Sequence, residues 1–101
     1  MLFIVEGNFT RPIEKGPAFG ALLQGHFAFT RKNIEAGRIL FAGPKPTGGG
    51  YFLIKAESLE AAKEMFKGDP FCTEGINDYT FTEFTMHDCA DCVKEWFSRE
   101  L

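Results

Sequence analysis

The chain has 101 residues, of which 45 % are hydrophobic and 25 % charged, with 12 Phe, three Cys and a formal charge of −3. That length supports one domain with one modest core. A pI of about 5.3 excludes the basic footprint of a nucleic-acid binder. No apolar run of about 18 residues is present, which excludes a membrane-spanning helix. The apolar start MLFIVEG lacks the basic region and small-residue cleavage site of a secretory signal. An odd number of cysteines does not make a secreted disulfide framework. A cytoplasmic location is therefore expected.

Taken in chain order, LFIVEG is β-branched and aromatic and reads as a strand from Leu2 to Glu6. NFTRPIEKGP carries Gly and Pro and is a loop. From Pro17 or Ala18 to Ala36 the spacing predicts a helix. Phe19, Leu23, Phe27 and Ile34 form one stripe, with Leu22, His26 and Phe29 beside it. Gly37 is the left-handed stop expected after a helix. RILFAG is a second strand, PKPTGGG a loop of turn formers, and YFLIKAE a third strand, joined by a loop length that permits a hairpin. Ser58 is a good N-cap for the next helix, with Glu60 in its first turn favoured by the dipole. Leu59, Ala62, Met65 and Phe66 form the apolar face of that helix. Gly68 ends it, and Pro70 pushes Asp69 out of helical geometry. DYTFTEFT alternates as a fourth strand, with Tyr79, Phe81 and Glu83 one way and Thr80, Thr82 and Phe84 the other. DCADCVKEWFSREL reads as a terminal helix with Val93, Trp96 and Phe97 inward.

The order β-α-β-β-α-β, then α, predicts an α+β fold of the ferredoxin-like, split βαβ kind, with an antiparallel sheet. Two helices cover one face of such a sheet. The strands carry aromatics on both alternations, so the other face also needs cover. A homodimer packed sheet against sheet is the simplest source of it.

Three groups of residues could carry chemistry. His26 stands among Leu22, Leu23, Phe27 and Phe29. It is either a half-buried structural histidine or a proton-transfer group, since imidazole is the side chain that titrates near neutrality. In the second case it needs a partner, and Asp69 is a candidate whose plainer role is to form the turn before Pro70. In MHDCADC, His87, Cys89 and Cys92 lie close together. Cys-x-x-Cys spacing suits a metal or redox site, but a structural zinc needs four ligands and only Cys72 remains, so the two cysteines read first as ordinary helix residues. GPKPTGGG lacks phosphate-loop spacing. It is a hairpin tip or a mobile lid, with Lys45 and Arg38 either holding an anion or simply solvated.

His26 on the first helix, AGRILFAGP from Ala36 to Pro44, and SLEAAKEMFKGDPF from Ser58 to Phe71 together resemble the YCII-related family of small dimeric α+β barrel proteins. The resemblance covers residues 1 to about 85. It implies a YCII-like domain over 1–85 and an added helical extension over 86–101. It also implies a dimer through the sheets and a cleft holding a His/Asp pair, which by motif match are His26 and Asp69. One branch of the family resembles muconolactone isomerase in fold, and one member class removes chloride from chlorinated hydroxyquinols. The function so implied is cofactor-free lyase or isomerase chemistry, without metal, on a small cyclic or aromatic compound. Phe27, Phe29, Phe41, Gly43 and Pro44 are the candidate substrate-binding wall. The alternatives are a non-catalytic dimer that binds a small ligand, and a metal or redox protein using Cys89 and Cys92.

Overall fold

The computed structural model of the chain describes residues 1–100. Strand β1 (Leu2–Phe9) leads into helix α1 (Pro17–Glu35). The hairpin β2 (Ile39–Pro44) and β3 (Gly50–Lys55) follows, then helix α2 (Leu59–Phe66), a one-turn helix α3 (Pro70–Thr73), strand β4 (Asn77–Phe84) and a short terminal helix α4 (Lys94–Ser98). The strands lie in the order β2-β3-β1-β4, and every pair is antiparallel. This is the ferredoxin-like α+β arrangement expected from the order of elements.

The predicted helix boundaries follow from local chemistry. Helix α1 opens on Pro17, whose fixed φ suits the first helical turn. It closes with Gly37 at φ 79. There the Gly37 N–H reaches the Ile34 carbonyl at 3.0 Å and the Arg38 N–H reaches the Asn33 carbonyl at 2.9 Å, which is the Schellman pattern. Ser58 caps α2, its hydroxyl accepting from the Ala61 N–H at 3.0 Å.

The core lies between the sheet and the helices. Phe3 and Val5 of β1 and Phe52 and Ile54 of β3 meet Phe29 of α1 and Ala62 and Phe66 of α2. The Phe66 ring is the hub, with centroids of Phe29, Phe52, Tyr79 and Phe81 between 4.7 and 5.5 Å away. Each such ring taken out of water stabilises the fold by roughly 1.5–3 kcal/mol. The predicted stripe on α1 needs correction. Phe29 and Asn33 are the residues of α1 that are buried, while Phe27 is 53 % exposed. The Phe19–Leu23–Phe27 side of the helix faces a cavity instead of the filled core.

The opposite face of the sheet carries Leu2, Ile4, Phe41, Tyr51, Leu53 and Phe84 by register. The C-terminal segment covers one end of it. Lys55 is buried there. Its ammonium donates to the Trp96 carbonyl and to the Arg99 carbonyl at 2.7 Å, and it lies 4.2 Å from the centroid of the Trp96 ring. Burial, with Arg99 nearby, holds the Lys55 pKa below its ordinary value. The predicted long terminal helix is in fact a 3₁₀ turn (Asp91–Val93) and the five residues of α4. Of its three expected inward residues, Trp96 is buried and Val93 and Phe97 are half-buried. Residues 85–90 lie outside any helix and carry the chain to the patch around Lys55.

Candidate functional site

The site begins at the turn after α2. Pro70 forces Asp69 into an extended conformation, φ −94 and ψ 120. The same proline then serves as the first residue of α3, so Asp69 becomes its N-cap. The carboxylate accepts from the Phe71 N–H at 3.0 Å. Helix α1 crosses close by at Gly25, where a Cβ would lie 2.9 Å from the Pro70 ring. The absence of a side chain at Gly25 lets α1 bring the next residue, His26, onto Asp69.

The contact is tight. His26 Nδ1 lies 2.9 Å from one carboxylate oxygen of Asp69 and 3.0 Å from the other. The Asp69 side chain is fully buried, while that of His26 retains 16 % of its exposure. The imidazole lies flat on the Phe71 ring, centroids 4.4 Å apart at 11°, with Phe52 against it edge-on at 5.9 Å. With Nδ1 committed to the carboxylate, Nε2 is the ring nitrogen left for a molecule beside it.

Tyr79 of β4 completes the surroundings of Asp69. Its hydroxyl donates to Oδ2 of the carboxylate. Burial first, and the Asp69 carboxylate second, push the Tyr79 pKa far above its usual value, so the phenol stays protonated. Asn77 Nδ2 donates in turn to the Tyr79 oxygen at 3.2 Å. A buried carboxylate thus receives three donors, which is what a charge in that position requires. On the other side of the turn, burial and the Asp69 charge raise the Cys72 thiol.

His26 opens onto a cavity of about 640 Å³. Its walls are the rings of Phe9, Phe19, Phe27, Phe52 and Phe71, with Lys15, Thr30 and Asn77 as polar groups and the 43–50 loop, Lys45 included, along one side. That loop is anchored, not free-swinging. A Cβ on Gly49, which sits at φ +71, would fall 1.9 Å from the Gly7 carbonyl oxygen, so the loop backbone is pressed onto β1. Within it the Lys45 N–H meets the Gly49 carbonyl at 2.9 Å and the Gly48 N–H meets the Lys45 carbonyl at 3.0 Å.

His26 and Asp69, far apart in sequence, are brought together. Phe27, Gly43 and Pro44 line the cavity beside His26. Phe29 does not, because it is packed into the core against Phe66. Phe41 does not either. A register shift between Ile39 and Phe41 turns it onto the far face of the sheet, opposite Leu53, where it is 49 % exposed. Lys45 is held by Glu6 at 2.8 Å and by Asn8, and this contact lowers the Glu6 pKa. Arg38 makes one long contact of 3.5 Å with Asn33. His87, Cys89 and Cys92 are not gathered into a ligand set. Among the described residues no three His, Cys, Asp or Glu side chains are placed to hold one metal ion. No helix of the described residues is long and apolar enough to cross a membrane. Sequence reasoning missed Tyr79, Asn77, Phe52 and Phe71 as parts of the site. The available signal was a tyrosine on the core alternation of β4, whose hydroxyl must find a partner when buried.

An antiparallel α+β domain with a buried carboxylate-bound histidine beside an apolar cavity is the class defined by this fold and site. The sequence profile of the YCII-related domain matches residues 8–85, and the chain belongs to that family. A protein of Bacillus subtilis (strain 168), described as uncharacterized protein YjpA, is 32 % identical over 63 residues, covering 61 % of this chain and 74 % of its own length. Two solved structures share the fold. One is 5-chloro-2-hydroxyhydroquinone dehydrochlorinase (TftG) from Burkholderia phenoliruptrix AC1100 in complex with 2,5-dihydroxybenzoquinone, with a TM-score of 0.65, 18 % identity and coverage of 86 % of this chain and 96 % of that one. The other is muconolactone isomerase, with a TM-score of 0.72, 17 % identity and coverage of 90 % and 95 %. At these identities the likeness is one of fold.

Proposed function

We propose that this chain is an enzyme of lyase or isomerase type that moves a proton on a small ring compound, with His26 as the base and Asp69 as the residue that positions it. One observation carries the reading: His26 Nδ1 is bound to both oxygens of a buried carboxylate, which leaves Nε2 as an acceptor beside an aromatic-walled cavity. In this reading Nε2 takes a proton from a carbon next to a carbonyl, and the electron pair of that C–H bond moves into the ring. Isomerisation follows if the Nε2–H returns the proton at another carbon. Elimination follows if the electron pair instead expels a leaving group. The resulting imidazolium faces the Asp69 charge, which stabilises it. Asp69 lies beneath the histidine and away from the cavity wall, so orienting His26 suits it better than a second proton transfer. The family membership and two fold neighbours with enzyme names support an enzymatic reading.

A second copy of the chain covering the open sheet face is part of the same proposal. Phe41 and Tyr51 are 49 % and 45 % exposed there. The buried indole N–H of Trp96 also has no acceptor among the described residues, and a neighbouring copy could supply one.

The test is solvent deuterium incorporation, followed by NMR, into a panel of butenolides and hydroxylated quinones. Wild-type protein is expected to exchange a ring C–H at least about 10²-fold faster than His26→Gln, a variant that retains a donor toward Asp69. Equal exchange by the two proteins across the panel would falsify the assignment. Saturable binding without exchange would favour the ligand-binding alternative.

A further inference from the structure

Asn77 sits at the start of β4 and is 6 % exposed. It lines the cavity that His26 opens onto. Its Oδ1 is buried and has no hydrogen-bond partner. The orientation of the amide is fixed by its neighbours. Tyr79 has one hydroxyl proton, and that proton goes to Asp69. The Tyr79 oxygen can then only accept from Asn77, so Nδ2 is the end that faces Tyr79. Oδ1 is left over, an acceptor that cannot be satisfied by turning the amide over. Buried acceptors are rarely left unpaired, because desolvating one without a partner is costly. Asn77 lines the cavity, and that is the side from which a ligand's donor can approach it.

We infer that Asn77 is a specificity-determining residue of this cavity, and that its Oδ1 accepts a hydrogen bond from a hydroxyl or N–H group on the bound ring compound. The inference rests on the proposed small-molecule role of the cavity and narrows it to ligands that carry a proton donor. The donor meets Asn77, while the face of the ring lies among the phenylalanines near His26. Asn77, Tyr79, Asp69 and His26 form one unbroken hydrogen-bonded chain. A ligand bound at both ends of it is registered against the base by the protein's own network. A ring of matching size without a donor leaves Oδ1 unpaired and is rejected.

The test compares resorcinol with 1,3-difluorobenzene, in which fluorine replaces each hydroxyl at similar size without a proton. The fluorinated ring is the more apolar, so hydrophobic burial alone favours it. Wild-type protein is expected to bind resorcinol about 10- to 100-fold more tightly, with the Asn77 side-chain carbonyl ¹³C signal shifting for resorcinol and not for the fluorinated ring. In Asn77→Leu the preference is expected to fall to within about threefold. Because the carbonyl shift is read on wild-type protein, the result does not depend on that variant folding. Equal affinity of the wild type for the two rings, or a preference that survives Asn77→Leu with no carbonyl shift, overturns the role of Asn77 and leaves the His26 reading standing. If neither ring gives saturable shifts in His26 or the cavity phenylalanines, the inference and the small-ring reading of the cavity fall together.

Discussion

Replacing Asp69 by Asn keeps the shape of the side chain and removes its charge. The remaining carbonyl oxygen of the new amide can still accept from the Phe71 N–H, now at 3.0 Å, so the cap on α3 survives. The amide NH₂ takes the place of Oδ2, 3.0 Å from His26 Nδ1 and within bonding distance of the Tyr79 hydroxyl. The charge-assisted bonds become neutral ones, and the one to Tyr79 reverses direction. His26 is no longer held in one tautomer: Nδ1 either donates to the remaining carbonyl oxygen at 2.9 Å or accepts from the new amide, with its proton on Nε2. Tyr79 must accept from the new amide and turn its own proton toward Asn77, whose amide flips to receive it. A hydrogen bond to a charged group contributes about 1.5–3 kcal/mol against about 1 for a neutral one. The net loss is therefore about 1–3 kcal/mol, and at roughly 4–8 °C per kcal/mol for a domain of this size the melting temperature should fall by roughly 5–20 °C. The chemical loss should be larger, about 10²–10⁴-fold, because the imidazolium formed in the reaction no longer faces a negative charge and part of the histidine carries its proton on Nε2, where it cannot act as base. Urea denaturation gives the stability, and ¹⁵N spectra of the neutral imidazole give the tautomer directly. Full wild-type exchange activity in the variant, with His26 still carrying its proton wholly on Nδ1, would refute the reasoning, even if its stability had dropped as expected.

Lys55→Met tests what holds the C-terminal segment. Without the bonds to the Trp96 and Arg99 carbonyls, the segment should loosen, read as a red shift and faster quenching of Trp96, the one tryptophan in the chain. The pH dependence has a definite sign. The folded-state pKa of Lys55 lies below the ordinary 10.5, so between the two values the unfolded chain holds the extra proton. Stability from this group therefore rises with pH over the alkaline window below 10.5. The gap in unfolding free energy between wild type and Lys55→Met, measured at pH 7 and again near 10.5, should shift in favour of wild type at the higher pH. Gly49→Ala places a methyl 1.9 Å from the Gly7 carbonyl oxygen at a positive φ. It should cost about 2 kcal/mol or more and loosen the loop along the cavity, whereas an unchanged melting temperature would show that the loop is not pressed onto β1.

Local chemistry made most of the frame readable in advance. Gly37 and Ser58 mark helix ends through bonds that involve only their near neighbours, so their positions follow from a short window of sequence. Helix α3 is different, since one turn has no apolar period to detect, and Asp69 before Pro70 reads equally as a turn or as a cap. Phe41 was misleading for another reason. Strict alternation sets it on the face of Ile39, but the irregularity between them turns it over, and an extra residue in a strand leaves no mark in composition. His26 stood out because an imidazole among phenylalanines is chemically conspicuous, whereas Tyr79 passed as one more aromatic on a strand. Its importance lies in where one proton goes, and that depends on residues ten positions away and on another helix.

Asp69 ties the chemistry to the architecture. The carboxylate that orients His26 is also the cap of α3 and the acceptor for a buried phenol, while His26 supplies one of the three donors to that carboxylate and stacks on Phe71. The two members of the pair are therefore under unequal constraint. Losing the histidine takes one of three donors from the carboxylate, whereas losing the aspartate removes the cap of α3 and leaves the Tyr79 hydroxyl without its acceptor. YCII-related chains with the aspartate at this turn and no histidine on the first helix are accordingly expected to be intact, folded proteins that lack the proposed proton transfer, and they would serve as natural controls for it.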